Sequence, residues 1–210
     1  MKTEDFIDFL ATGAGPAPAF NMSLKFRAAL LAGLAASLGM GLVANGLASG
    51  SLPSFVRWSK LVYAMSVLTF GWVLLKQLAR PLSDVRASLW GLLLVVLVMA
   101  GFGVSDLTAA SSDQYDDLLR GHTWLMCSLS ILLFSLPALA AALWMLRSMA
   151  PTRLRLAGFA AGIFAGAQGA LGYCIVGPDD SPLFVAIWYT LGIALSGLLG
   201  MLLGPRILRW

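Results

Sequence analysis

Two residues of this chain carry thiol chemistry, Cys127 and Cys174, and it has a single histidine, His122. A thiol pair can form a disulfide, bind a soft metal, supply a nucleophile once deprotonated, or simply pack as small apolar groups. Two Cys and one His are too few for a structural zinc site, which takes four such ligands. His122 closes the polar stretch 108–123, which holds Tyr115-Asp116-Asp117, and it reads more simply as a solvated loop residue than as a metal ligand. There is no nucleophile elbow, no glycine-rich phosphate loop after a strand, and no pair of carboxylates within an apolar run. Catalysis is therefore a poor description of the chain, and no cofactor or metal is expected.

What the thiols mean depends on which side of a membrane they face, because oxidised pairs persist only in oxidising compartments. The elements that hold them are apolar throughout. The chain is 59% hydrophobic and 11% charged, against about 25% charged in soluble domains. This composition predicts an all-α integral membrane protein. Apolar runs at 28–49, 58–78, 87–107, 124–146, 154–176 and 183–203 each approach the ~20 residues that cross a bilayer. The first run is too long, and too far into the chain, for a signal peptide. The expectation is a six-helix transmembrane domain over 24–210, behind a cytoplasmic segment at 1–23.

Six crossings put both termini on one side, and charge identifies that side. Lys2, Lys25, Arg27, Lys76, Arg80, Arg86, Arg147, Arg153, Arg155, Arg206 and Arg209 fall on the terminal face, against Arg57, Lys60 and Arg120 opposite. The positive-inside rule then makes both termini cytoplasmic. Asp106, Asp113, Asp116, Asp117, Asp179 and Asp180 all fall outside. Cys127 begins the fourth helix and Cys174 lies near the end of the fifth, so both thiols reach the outer face at similar depth. A disulfide needs Cα atoms about 4.4–6.8 Å apart, whereas packed helix axes lie about 8–10 Å apart. The two positions can bridge only if they face each other.

Residues 1–18 form the one stretch of soluble character. Phe6, Ile7, Phe9 and Leu10 share one arc of a helix, and Glu4, Asp5 and Asp8 the other. Thr3 suits the N-cap, and Gly13 to Pro18 ends the helix and serves as a linker. So short a helix needs a surface to order on. Its acidic face favours a protein partner over anionic lipid.

Within the bundle, no ionisable residue is expected at mid-membrane depth, although ion-coupled transporters place such groups there. Asn45 and Gln168 are the polar exceptions, read as hydrogen-bonding to neighbouring helices. Gly158, Gly162 and Gly166, with Ser196, Gly200 and Gly204, are spaced for close helix packing within the chain, a homodimer seam being the alternative use. Pro137 is expected to kink the fourth helix. Trp58, Trp124, Trp144, Trp188, Tyr173, Tyr189 and Trp210 read as interfacial anchors.

Several spaced motifs carry a resemblance that spans nearly the whole chain. They are Met1-Lys2-Thr3-Glu4-Asp5-Phe6-Ile7 with Leu10-Ala11, Trp124-Leu125-Met126-Cys127, Ser135-Leu136-Pro137, Ala150-Pro151-Thr152-Arg153 with Ala157-Gly158, Trp188-Tyr189-Thr190-Leu191-Gly192, and Gly204-Pro205-Arg206-Ile207-Leu208-Arg209-Trp210. Together they resemble the NrsF-type membrane anti-sigma factors. The resemblance implies a bacterial inner-membrane protein that holds an extracytoplasmic-function sigma factor inactive, with a cysteine pair that senses heavy-metal or oxidative stress. On that reading Phe6, Ile7, Phe9 and Leu10 dock on the sigma factor while Asp5 and Asp8 meet its basic residues. The expected partners are that sigma factor and membrane lipid, with no direct nucleic acid and with homo-oligomerisation undecided.

The chain departs from the family at one point. The family pattern Tyr-x-Leu-His-Cys-Pro-Glu, laid on 173–179, meets Val176 and Gly177 where His and Cys are expected. Cys127 matches the family position, whereas Cys174 is either a displaced substitute or a small packing residue. Two other classes stay in view: a small-solute transporter or channel, and a membrane thiol-redox or lipid enzyme with Cys127 or Cys174 as nucleophile.

Overall fold

The computed structural model describes residues 22–49, 58–79, 84–110, 124–149, 151–177 and 181–209, together with Thr3, Ile7, Thr12, Tyr115, Leu119 and Gly121. Six long helices account for most of them: α1 (Met22–Ser49), α2 (Trp58–Leu78), α3 (Arg86–Ala109), α4 (Trp124–Arg147), α5 (Leu154–Tyr173) and α6 (Pro182–Ile207). All six are long and apolar enough to cross a membrane. They are apolar around their whole circumference, so burial in the bundle is decided by side-chain size rather than by an amphipathic stripe. The end holding Met22 and Ile207 is called the near end, and the end holding Trp124 and Tyr173 the far end.

The helix with the smallest side chains is the central one. From Ala157 to Tyr173 only Phe159 escapes full burial, and α5 packs against α1, α2, α4 and α6. Each neighbour approaches at a glycine. Gly158 lies against Gly200 and Gly204, and Gly162 against Ser196 and Gly197, which makes the α5–α6 seam antiparallel. Gly169 meets Ile131 and Ser135 of α4, Gly172 meets Ser37 of α1, and Gly71 of α2 meets Phe164. Small residues permit such backbone contact where bulk apolarity gives no reason for helices to associate. The spaced glycines of α5 and α6 are thus used inside one chain.

Polar bonds pin the seams. Ser37 Oγ donates to the Phe134 carbonyl at 2.9 Å, and the Ser135 and Ser196 hydroxyls pair at 2.9 Å, all buried. At the near end Trp72 lies edge-on to Phe26 at 5.4 Å and tilted on Phe164 at 5.6 Å, tying α1, α2 and α5. Helix α3 is peripheral, with Gly91 on Phe70 of α2 and Gly103 on Leu183 of α6, and it leaves Leu94, Leu97 and Phe102 exposed.

Three details differ from the sequence reading. The α-helix of α5 stops at Tyr173 and the chain continues as a turn through Val176, so the helix is three residues shorter than the expected run to 176 and Cys174 is its C-cap. Helix α6 begins Pro182–Phe184, widens into a π-helical turn at Val185–Tyr189, and resumes α-helix from Thr190. Gln168 bonds to no neighbouring helix: its amide is fully buried with neither polar atom paired, Gly33 lying directly beneath Oε1 and Ala138 beside it. Gly33 and Ala138 offer an amide no side-chain acceptor or donor, because closeness at this crossing required small side chains. Asn45 lies outside the residues whose side chains are described.

Candidate functional site

The far end gathers the chemistry. Cys127, in the first turn of α4, and Cys174, at the end of α5, are both buried reduced thiols. Beside both stands Tyr189, fully buried on the π-turn of α6. Its ring meets that of Tyr173 edge-on at 5.8 Å, which places it beside Cys174. The Ser128 hydroxyl donates to the Trp188 carbonyl at 2.9 Å, which places Cys127 beside the same turn. Cys174, Cys127 and Tyr173 are the electrostatic neighbours of the Tyr189 hydroxyl. The two candidate thiols are therefore drawn to one tyrosine, which sequence reasoning had assigned with Tyr173 to an interfacial belt. Both tyrosines are buried instead, their rings in contact where the end of α5 meets the π-turn of α6.

A lid of backbone covers this cluster. Lys60 is buried at the start of α2, and its Nζ donates to the Gly177 carbonyl at 2.9 Å. One turn on, the Tyr63 and Thr190 hydroxyls pair, and Thr190 also donates to the Ala186 carbonyl within the π-turn. Trp188 Nε1 donates to the Leu119 carbonyl at 2.8 Å, and its ring lies 5.0 Å from that of Trp124. Gly177 itself is constrained. A Cβ there would come 2.8 Å from Cε1 of Tyr173 and 3.3 Å from Tyr189 Oη. A cysteine at 177 would displace the Tyr173 ring, whereas Cys174 reaches the cluster from within the bundle. Lys60 and Tyr189 were the residues missed. The available signal was a lysine directly after Trp58-Ser59 at the head of an apolar run, where a charge is tolerated only with a partner.

The near end is cationic. Arg27, Lys76, Arg86, Arg147, Arg153, Arg155, Arg206 and Arg209 are exposed there, with Asp84 the one acid among the described residues at that end. Lys76 Nζ lies 4.7 Å over the Trp72 ring, and Asp84 accepts from the Arg86 backbone at 3.0 Å. Of the predicted partner-binding residues, Ile7 is 58% exposed, while Asp5, Phe6, Asp8, Phe9 and Leu10 lie outside the described residues. His122, Asp179 and Asp180 lie outside them too. Among the described residues no three His, Cys, Asp or Glu side chains gather as a metal site.

Fold and site together define an all-helical bundle of six span-length helices with a buried thiol cluster at one end and a basic rim at the other. The family model of NrsF, described as "Negative regulator of sigma F", matches residues 10–210, and the chain belongs to that family. It is similar along its whole length to two curated relatives. One is the "Probable anti-sigma-F factor NrsF" of Azospira oryzae, 35% identical over 215 residues and covering 100% of each chain. The other is the "Anti-sigma-F factor NrsF" of Caulobacter vibrioides, 36% identical over 221 residues, again covering 100% of each. These relatives are regulatory proteins that act on a sigma factor, not enzymes by name. No solved structure matches the chain.

Proposed function

We propose that the protein spans the bacterial inner membrane with its near end in the cytoplasm, holds an extracytoplasmic-function sigma factor inactive there, and releases it when heavy-metal or oxidative stress reaches the far end. The observation that carries this reading is the match to negative regulators of sigma F over nearly the whole chain. The surface supports the membrane setting, since Leu94, Leu97, Phe102, Trp144 and Leu202 are all more than half exposed, which suits lipid as solvent. The basic near end supports the orientation by the positive-inside rule.

The division of labour follows from the two ends. Asp5, Phe6, Ile7, Asp8, Phe9 and Leu10 form the sigma-docking helix, apolar face inward and carboxylates toward basic residues of the partner. Cys127 and Cys174 form the sensor, sealed beneath the turn that Lys60 holds. Helix α1 joins the two, since it carries the N-terminal segment and touches α5 at Gly172, two residues before Cys174, through Ser37 and Gly41. The test is deletion of residues 1–15 followed by pull-down of the sigma factor with the membrane-inserted protein. The reading expects insertion to persist and capture to fall at least tenfold. Undiminished capture by the truncated protein would overturn the assignment of the docking helix.

A further inference from the structure

Tyr189 has no exposed surface, and among the described residues its hydroxyl makes no hydrogen bond of full geometry, the Cys174 thiol being the weak partner beside it. A buried hydroxyl without a strong partner is costly, and one of this kind in a folded protein calls for a physical account. The surrounding ionisable groups narrow that account. On α2, Tyr63 is paired with Thr190 and Lys60 is bonded to the Gly177 carbonyl. On α5, the Tyr173 ring makes a T-shaped contact with that of Tyr189 at 5.8 Å. What remains around the phenol among the described residues are the sulfurs of Cys127 from α4 and Cys174 from α5. A neutral thiol is a weak acceptor, whereas a thiolate accepts a strong, charge-assisted bond. The π-helical turn that carries Tyr189 is a local irregularity of a kind that concentrates at functional positions.

We propose that Tyr189 is the positioning residue of the thiol pair: its phenol stands beside Cys127 and Cys174, and its O–H donates to whichever sulfur is deprotonated. At rest the phenol has only the weakly accepting neutral thiol of Cys174 beside it, and the thiolate is its strong partner. This deepens the sensing reading above, and it is tested on the chain without any sigma factor, so that each can fail alone. Loss or retention of stress-triggered release in Cys127→Ser and Cys174→Ser judges the sensor; the measurement below judges Tyr189.

The experiment compares the full-length protein in lipid nanodiscs with Tyr189→Phe, which removes one oxygen and keeps the ring. Each thiol is alkylated by iodoacetamide near pH 7: the thiolate sulfur displaces iodide, forming C–S as C–I breaks, its proton having passed to buffer. Loss of the donor is expected to slow alkylation about tenfold at the sulfur that Tyr189 serves. A purely structural role predicts the opposite, because loosening the cluster exposes the thiols and speeds the reaction. An unchanged or faster rate in Tyr189→Phe would overturn the proposal. Should that variant fail to accumulate, the infrared C–O stretch of tyrosine in Cys174→Ser, Cys127→Ser and the unaltered protein at alkaline pH reads the same contact from the other side. The proposal expects the band to move in at least one variant, and a band unmoved in both refutes it.

Discussion

Replacing Gly162 by alanine should be among the most damaging single-methyl changes in the bundle. A Cβ at this position would lie 2.6 Å from Gly197 Cα and 2.7 Å from the Ser196 carbonyl carbon, with that carbonyl oxygen closer still. Carbon atoms in contact settle at about 3.5–4.0 Å, so α5 and α6 must part by roughly 1 Å. A gap of that size forfeits about a quarter to a half of the dispersion energy of the atoms it separates, and overpacking of this kind costs about 1–3 kcal/mol. The obstructing atoms are backbone, so no rotamer change can relieve them. The helical preference for alanine over glycine returns only about 0.5–1 kcal/mol. The net loss is between about 0 and 2.5 kcal/mol, centred near 1 kcal/mol, which at the centre is roughly 2–4 °C in Tm for a chain of this size. The comparison is Gly101→Ala on α3, where a Cβ meets nothing within 4 Å, so that only the helical gain remains. Thermal unfolding of both purified variants in one detergent, followed by circular dichroism, checks the pair. If Gly162→Ala melts at or above the unaltered protein, the seam does not hold the bundle and the packing argument fails.

Two further changes test other parts of the structure. Gln168→Leu removes a buried amide that bonds to nothing, so stability should rise by about 1–3 kcal/mol, seen as a higher melting temperature; a fall would mean that the amide has a partner in the bilayer. Lys60→Met strips the donor from the Gly177 carbonyl and leaves it unsatisfied, at about 1–3 kcal/mol. The turn over the thiols should open, and labelling of Cys174 by a water-soluble maleimide should speed up at least severalfold, whereas an unchanged rate would show that Lys60 does not seal the site.

Much of this protein was legible before any fold was known, because a bilayer leaves few choices. The composition and the six runs of span length are properties of the linear chain, and each run does form a helix long and apolar enough to cross a membrane. The spaced glycines of α5 and α6 also announced a close seam. What could not be read was which of several apolar faces turns inward. Every helix is apolar all round, so periodicity does not tell an exposed Trp144 from a buried Tyr189. That choice was settled by volume: the Gly and Ala of α5 admit four neighbours at once, and the bundle closes around it. The thiols illustrate the same limit. The linear order put Cys127 and Cys174 at one depth, but only the packing of α6, its π-turn and the Lys60 bond to Gly177 set a tyrosine beside them. Contacts of this kind depend on angles about helix axes, which tertiary packing fixes and the one-dimensional pattern of apolar residues does not encode.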